Sequence, residues 1–368
     1  MFYYHRAVPK VVLLNFTISI KTSLTEPGTR QKRGVMAIMK DTINVLNTMS
    51  QLKKIAITLG EPAGIGPEIV LKSLLSREVT EICRPLIIGS RVVIEEAAEK
   101  MSIPFAARTH DVLNTGAIKN CDFAKGISTI EGGRECVTYI KKAAELAMLK
   151  VVDAIVTAPI SKESLKMAGF TWPGHTEMLA ELTGTSDYAM ILCGGPLKVI
   201  LATIHTALRN VPDLVTRERI VKTIILAKKA CDLMDIKEPR IAVAGLNPHS
   251  GEAGIFGNEE KLEIAPAVED VRGMGIPVSG PYPADTLFHK AYKGEFDIVV
   301  CMYHDQGLIP LKMIAFDKGV NMTVGLPFVR TSPDHGTAYD IAWKGIADPS
   351  SLIEAIKLAA SLGGKQKS

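Results

Sequence analysis

Three histidines each follow an apolar, strand-like run, and this shared context is the strongest sign of chemistry in the chain. They are His205 in ATIHTALR, His249 in VAGLNPHSGE and His304 in VVCMYHDQG. Imidazole is the commonest protein ligand for divalent transition metals, and α/β enzymes assemble their sites at strand ends. Three neutral imidazoles without a thiolate leave coordination positions open, which is typical of catalytic metal sites. One such histidine alone is more often a core or loop residue, but the repetition predicts a metal site.

Basic and polar side chains near other predicted element ends suit an anionic ligand. His175 and Thr176 begin a predicted helix in WPGHTEML, and helix N-termini attract phosphate and carboxylate groups. Lys312, Asn321 and Arg330 supply an ammonium, an amide and a guanidinium near the ends of apolar runs. Arginine can bind phosphate or carboxylate through two hydrogen bonds. Ordinary capping or a solvated surface charge is the alternative for each residue alone.

Two turns carry backbone features that could admit a ligand. In GEPAGIGPEI, Gly64 and Gly66 allow close backbone approach to an anion. This segment lacks the lysine of a P-loop and the third glycine of a dinucleotide fingerprint, so a plain strand-to-helix turn explains it nearly as well. His335 lies beside Gly336 in SPDHGTAYD, which predicts a backbone bend that a ligand or another part of the chain approaches. Ser161 in TAPISK is placed to cap a helix.

From residue 53 onward, short apolar runs alternate with amphipathic stretches. Strands are predicted in KKIAITLG, RPLIIGS, VDAIVTAP, YAMILCG, KVILATI, RIAVAGLN, FDIVVCMY and VNMTVGLP. Strands that lack polar alternation and are separated by helices predict an α/β fold, with a largely parallel sheet covered on both faces. At 368 residues the chain is long enough for two domains.

Composition argues against several classes of protein. The net charge of +4 arises from residues 1–54, which carry +7, so the remainder is mildly acidic and gives no argument for binding nucleic acid. The six cysteines form no CxxC pair, which predicts buried, reduced thiols in a cytoplasmic protein. No stretch approaches the roughly 20 apolar residues of a membrane span. Residues 1–51 are predicted to be a disordered extension, or the product of an upstream translation start.

Taken in order, several motifs resemble the 4-hydroxythreonine-4-phosphate dehydrogenase family. They are GEPAGIGPE, TAPISK, PGHTE, TIHTALR, GLNPHSGE, GPYPADT, MYHDQG and GVNMTVGLPFVRTSPDHGTA. Glu61, where many relatives have Asp, is the departure. The GIGPE and HGTA segments also resemble the wider isocitrate/isopropylmalate dehydrogenase group. The resemblance implies two α/β/α domains with an active-site cleft between them: residues 52–156 with 320–368 on the cofactor side, and residues 157–319 on the metal and dimer side.

The resemblance also implies roles for individual residues. His205, His249 and His304 match the ligands of a divalent metal (Zn, Mg, Co or Mn). In the family this site lies at a homodimer interface, with the MYHDQG histidine supplied by the second subunit. Residues that match substrate-binding positions are His175, Thr176, Lys312, Asn321 and Arg330, of which Lys312 and His175 are also expected to be catalytic. Residues that match the cofactor side are Gly64, Gly66, His335, Gly336 and Thr337.

The implied activity is oxidation of the C3 hydroxyl of 4-phosphooxy-L-threonine by NAD, or alternatively NADP, followed by decarboxylation to 3-amino-2-oxopropyl phosphate. This reaction belongs to pyridoxal phosphate biosynthesis. DYAMIL, IHTALR and TAYDIAWKG are closer to a sister group that converts 4-phospho-D-threonate and 4-phospho-D-erythronate to dihydroxyacetone phosphate and CO2. Without the resemblance, a metal-dependent hydrolase or aldolase and a non-catalytic phosphometabolite-binding protein remain alternatives.

Overall fold

The computed structural model describes residues 52–105 and 111–365, so the predicted extension over residues 1–51 lies outside the described residues. Within them, eleven strands form one sheet in the order β3-β2-β1-β4-β11-β10-β5-β6-β9-β7-β8. In chain order the strands are β1 (Lys53–Thr58), β2 (Cys83–Gly89), β3 (Asp111–Asn114), β4 (Ala154–Thr157), β5 (Ala189–Gly194), β6 (Leu197–Leu201), β7 (Ile241–Ala244), β8 (Val278–Tyr282), β9 (Ile298–Cys301), β10 (Val320–Val324) and β11 (Val329–Pro333).

Twelve α-helices connect these strands within the described ranges. In chain order they are α1 (Gly66–Leu74), α2 (Arg77–Thr80), α3 (Arg91–Lys100), α4 (Ile130–Met148), α5 (Lys162–Met167), α6 (His175–Thr183), α7 (Val211–Leu214), α8 (Arg217–Leu233), α9 (Ala265–Gly273), α10 (Ala284–Tyr292), α11 (His304–Ala315) and α12 (Ser350–Leu362).

The sheet is largely parallel, as predicted. Seven of its ten strand pairs are parallel, and the three antiparallel pairs all involve β5 or β10. Strands from the two predicted domains occupy opposite halves of the sheet, which meet where β10 pairs with β5. Because three successive antiparallel pairs separate β11 from β6, the parallel strands of one half run opposite to those of the other. The domain boundaries at 156/157 and 319/320 stay a prediction.

Local sequence explains where these elements begin and what they bury. Ile55, Ala56 and Ile57 of β1 are fully buried, as expected for a strand covered on both faces. The side chain of Ser161 accepts a hydrogen bond from the backbone N–H of Ser164 at 3.1 Å, which confirms the predicted cap at the start of α5. Buried strands and capped helices of this kind position the candidate site residues.

The thiols agree with the sequence-based expectation. All six cysteines are free, and five of them are buried. Among the described residues, no helix combines the length and the apolar character needed to cross a membrane.

Candidate active site

One cavity of about 400 Å³ brings together all five predicted substrate-binding residues. His175 and Thr176 reach it from the start of α6, Lys312 from α11, Asn321 from β10 and Arg330 from β11. These residues are up to 155 positions apart in the sequence. Their convergence on one concave surface is the arrangement expected of a small-molecule site.

Arg330 is buried in the wall of this cavity, with no carboxylate bound to it among the described residues. Its Nε and Nη2 atoms donate to Thr157 Oγ1 at 3.2 and 2.8 Å, and its Nη1 atom donates to Thr323 Oγ1 at 3.1 Å. Burial lowers the pKa of the guanidinium to about 9, against the opposing charge of Glu177. Because an unpaired buried charge costs roughly several kcal/mol, the side chain is best explained by an anion that binds in the cavity.

Two further polar atoms that belong to residues of the cavity are buried and lack a hydrogen-bond partner. They are His175 Nε2 and Asn321 Oδ1. Burial holds the pKa of His175 well below its usual value and the Arg330 charge adds to this effect, whereas a hydrogen bond to the backbone of Ala158 opposes it. His175 is therefore neutral near pH 7, and its Nε2 atom is free to accept a hydrogen bond from a ligand.

Lys312 and Thr176 are held by neighbouring side chains at the cavity. The Lys312 ammonium lies 3.2 Å from a carboxylate oxygen of Asp334, which orients it while leaving it partly exposed. The hydroxyl of Thr176 lies 3.3 Å from that of Thr323, which also accepts from Arg330. The cavity thus presents an oriented ammonium and a connected group of hydroxyls beside the buried guanidinium.

The structure places two of the three predicted metal ligands side by side. The ring centroids of His205 and His304 lie 5.7 Å apart, and His205 lines the cavity. His304 Nδ1 lies 2.8 Å from Asp305 Oδ1, which leaves Nε2 as the free nitrogen. Burial lowers the pKa of His205, with smaller contributions from the Lys162 and His304 charges, so this imidazole is neutral and available to a metal.

The spacing of these two rings suits a shared metal ion. With Zn–N bonds of about 2.0–2.1 Å and tetrahedral geometry, two imidazoles on one ion have ring centroids about 5 Å apart. The separation observed between His205 and His304 is close to this value. The pair therefore fits two ligands of one divalent metal.

His249, the third predicted ligand, is not part of this cluster. It is exposed and begins a run of six residues, 249–254, with positive φ angles, and its ring packs near that of Phe256. Within the described ranges, no group of three or more histidine, cysteine, aspartate and glutamate side chains is arranged to hold a metal. One chain thus brings two imidazoles together, and the third must come from elsewhere if all three bind one ion.

The predicted cofactor residues lie in two loops that contact each other. His335 and Gly336 line the cavity. The backbone N–H of Ile65 donates to the carbonyl of Thr337 at 3.0 Å, and a Cβ atom at Gly64 would come within 3.0 Å of the Thr337 side chain. The first loop therefore packs directly on the second. Gly66 is required for another reason, because a Cβ atom there would lie 2.1 Å from the carbonyl oxygen of Leu59.

Besides Asp334, which holds Lys312, two charged residues of the cavity were not predicted as site residues. Lys162 follows Ser161 in TAPISK, and Glu177 follows Thr176 in PGHTE. Both charges act on His205, since Lys162 lowers its pKa and Glu177 raises it. Their position within motifs that carry other site residues was the available signal, but an exposed lysine or glutamate at a helix start is usually a solvated residue.

Glu61, the residue that departs from the family pattern, is a fully buried carboxyl group. Burial raises its pKa from 4.5 to about 7, against hydrogen bonds from Ser164, Cys136 and Ala63. The folded protein thus keeps a proton here that the unfolded chain loses above pH 4.5. Stability is therefore lost as the pH rises towards 7, and the full cost of about 3 kcal/mol is reached above that pH.

We expect Glu61→Gln to remove this part of the pH dependence, because the amide has a similar shape and does not titrate. Urea unfolding at pH 5 and pH 8 should show that the variant loses less stability between these values than the wild type, by about 3 kcal/mol. The exposed Glu163→Gln variant is the matched control and should follow the wild type. An unchanged pH dependence in Glu61→Gln would mean that this carboxyl is ionised in the folded protein at pH 5.

Comparisons with known proteins identify the relatives of this chain. The family model described as pyridoxal phosphate biosynthetic protein PdxA matches residues 81–359. A 4-hydroxythreonine-4-phosphate dehydrogenase from Desulforapulum autotrophicum is 48% identical over 320 residues, which cover 83% of this chain and 94% of that protein. A D-threonate 4-phosphate dehydrogenase from Pectobacterium atrosepticum is 45% identical over 324 residues, or 84% of this chain and 99% of that protein. The crystal structure of a 4-hydroxythreonine-4-phosphate dehydrogenase from Klebsiella pneumoniae matches with a TM-score of 0.78 and 42% identity, covering 84% of this chain and 99% of that one.

Proposed function

Because the chain belongs to the PdxA family of pyridoxal phosphate biosynthetic proteins and is a dehydrogenase, we propose that it oxidises the C3 hydroxyl of 4-phosphooxy-L-threonine with NAD and a divalent metal. Decarboxylation then gives 3-amino-2-oxopropyl phosphate. The observation that carries the proposal is the buried guanidinium of Arg330, which has no carboxylate partner among the described residues and lies in one cavity with His205. The dehydrogenase relatives argue against the hydrolase and aldolase alternatives.

The polar groups of the cavity can hold and orient the two anionic ends of such a substrate. Arg330, with Thr176, is suited to the phosphate group, since a planar guanidinium and a hydroxyl donor bind a dianion well. Lys312 is suited to the carboxylate, because Asp334 holds its ammonium in place at the cavity. Fixing both ends determines which carbon faces the cofactor.

The reaction also needs a proton acceptor and a proton donor at defined positions. The neutral Nε2 atom of His175 can accept a hydrogen bond or a proton from a substrate hydroxyl. Lys312 can return a proton to the carbon that loses CO2. A metal bound by His205 and His304 would supply Lewis-acid polarisation of the hydroxyl, and NAD, held by the loops of Gly64 and Thr337, would accept the hydride.

We further propose a cytoplasmic homodimer in which His249 of the second subunit completes the metal site. Apolar side chains that are more than half exposed lie near each of the histidine loops: Leu208 after His205, Ile255 after His249, and Ile309 and Met313 on the helix that His304 begins. Such a patch usually marks a protein interface. In this arrangement His304 acts within its own chain, which differs from the family pattern given above, because it already lies beside His205.

The sister reaction is the second candidate, since relatives with that name reach 45% identity. The substrates, 4-phosphooxy-L-threonine and 4-phospho-D-threonate, differ in the group on C2, which is an amino group in the first and a hydroxyl group in the second.

We expect a substrate panel with NAD and divalent metal to favour the amino compound over the hydroxy compound by roughly 10-fold or more in kcat/KM. NADH absorbance and CO2 release are the two measurements. A preference for 4-phospho-D-threonate would replace the main proposal with the sister reaction. NAD reduction by neither compound would refute both.

A further inference from the structure

The three histidine loops leave three neighbouring strands of the sheet. His205 follows β6, His304 follows β9 and His249 follows β7, and these strands are adjacent and parallel in the order β6-β9-β7. Their carboxyl ends therefore lie at one edge of the sheet. Beyond the last ladder hydrogen bonds, buried side chains connect the backbones of the three loops to one another.

The first connection joins the His205 loop to the His304 loop. Thr203 Oγ1 donates to the carbonyl oxygen of Met302 at 2.7 Å, and the backbone N–H of Thr203 donates to the same oxygen at 3.2 Å. Thr203 lies two residues before His205, Met302 lies two residues before His304, and both are almost completely buried. The hydroxyl thus fixes the distance between the two loops just before their ligands.

The second connection joins the His304 loop to the His249 loop. The amide oxygen of Gln306 accepts from the backbone N–H of Met302 at 2.7 Å, and its Nε2 atom donates to the carbonyl of Gly245 at 2.7 Å. The side chain is buried, so these partners would have no access to water if it were removed. Gly245 lies directly after β7, at the start of the loop that carries His249.

These contacts form one continuous chain of hydrogen bonds from Thr203 through Met302 and Gln306 to Gly245. We infer that Thr203 and Gln306 are positioning residues that fix the His205 and His304 loops and thereby set the affinity for a divalent metal, and that Gln306 also fixes the base of the loop from which His249 reaches the second subunit's site. This inference rests on the proposed function, in which the histidines bind that metal. Outer groups that orient metal ligands act in this way in other proteins, and their loss weakens metal binding roughly 10–100-fold.

The test measures binding of Co²⁺ to metal-stripped protein by visible absorption, and of Zn²⁺ by calorimetry. Thr203→Val and Gln306→Leu should each weaken binding roughly 10-fold or more, and Thr203→Ser, which keeps the hydroxyl, should bind like the wild type. Thr223→Val is the matched control, because Thr223 is also buried and its hydroxyl donates to the carbonyl of Arg219 at 2.8 Å within α8 and to no residue of these loops. Its metal affinity should not change.

The outcomes separate this inference from the proposed function. Wild-type affinity in Thr203→Val and Gln306→Leu, together with lost binding in His205→Ala, would overturn the positioning role and leave the metal site intact. Wild-type affinity in His205→Ala would instead refute the metal site itself. Equal weakening in Thr223→Val would mean that general loosening of the fold explains the effect, which also overturns the inference. Thr203→Val decides the question if Gln306→Leu does not fold.

Discussion

Mixing inactive His205→Ala subunits with inactive His249→Ala subunits is expected to restore activity. Each single variant should lose turnover, because each removes a ligand from every site. If His205 and His304 act within one chain and His249 acts across the dimer, the mixed dimer contains one site with both lesions and one intact site. Random pairing in equal amounts makes half of the dimers mixed, so about a quarter of the wild-type activity should return.

The control for this experiment is the mixture of His205→Ala and His304→Ala subunits. Both residues then belong to the same chain's site, so each site of the mixed dimer carries one lesion and activity should stay absent. Native mass spectrometry would establish that mixed dimers have formed. Recovery in the control mixture and not in the first would assign the cross-subunit role to His304. No recovery in either, with mixed dimers present, would argue against a shared site.

Arg330→Lys is expected to weaken the reaction of the phosphorylated substrate far more than that of its dephosphorylated analogue. Lysine keeps the positive charge but cannot donate to Thr157 and Thr323 while also presenting two parallel hydrogen bonds to a phosphate group. We expect kcat/KM for the phosphorylated substrate to fall roughly 100-fold, in line with the loss of a charged hydrogen bond in a buried site. The analogue, which reacts poorly with the wild type, should lose little more.

Arg240→Lys is the matched control for this experiment. Arg240 is exposed and pairs with Asp297 at the surface, so its replacement should leave both substrates unaffected. Equal losses for the two substrates in Arg330→Lys would show that the guanidinium binds the carboxylate or serves the fold instead of the phosphate group.

The fold was largely predictable because the sequences of its central strands are continuous apolar runs. Runs such as KKIAITLG and RIAVAGLN are apolar on both faces, which only a covered, mostly parallel sheet explains. β11 was not predicted, since VRTSP is polar and ends in proline, yet all five of its residues are buried. Its polarity reflects the site, because Arg330 and its hydroxyl partners satisfy one another inside the sheet. β3 and β8 were also missed, and they lie at the two edges of the sheet with short, partly exposed sequences.

The candidate site was predicted in composition more fully than in geometry. His175, Lys312 and Arg330 were identified by residue type and motif, and the structure brings them into one cavity. The separation of His249 from the other two histidines was beyond sequence reasoning, because its position depends on left-handed backbone angles at residues 249–253. The roles of Thr203 and Gln306 were also hidden, since a threonine and a glutamine near strand ends have no pattern of their own.

The buried guanidinium of Arg330 suits the binding of an anion but lowers the stability of the fold. With the cavity empty, the fold carries a desolvated charge that only neutral hydroxyl groups contact. An apolar residue of similar volume at this position would often make such a fold more stable. Selection for thermostability alone would therefore tend to remove Arg330, and its presence reflects selection for binding. An anion bound there as proposed would in turn become part of what holds the folded protein together, so the substrate would protect the enzyme that consumes it.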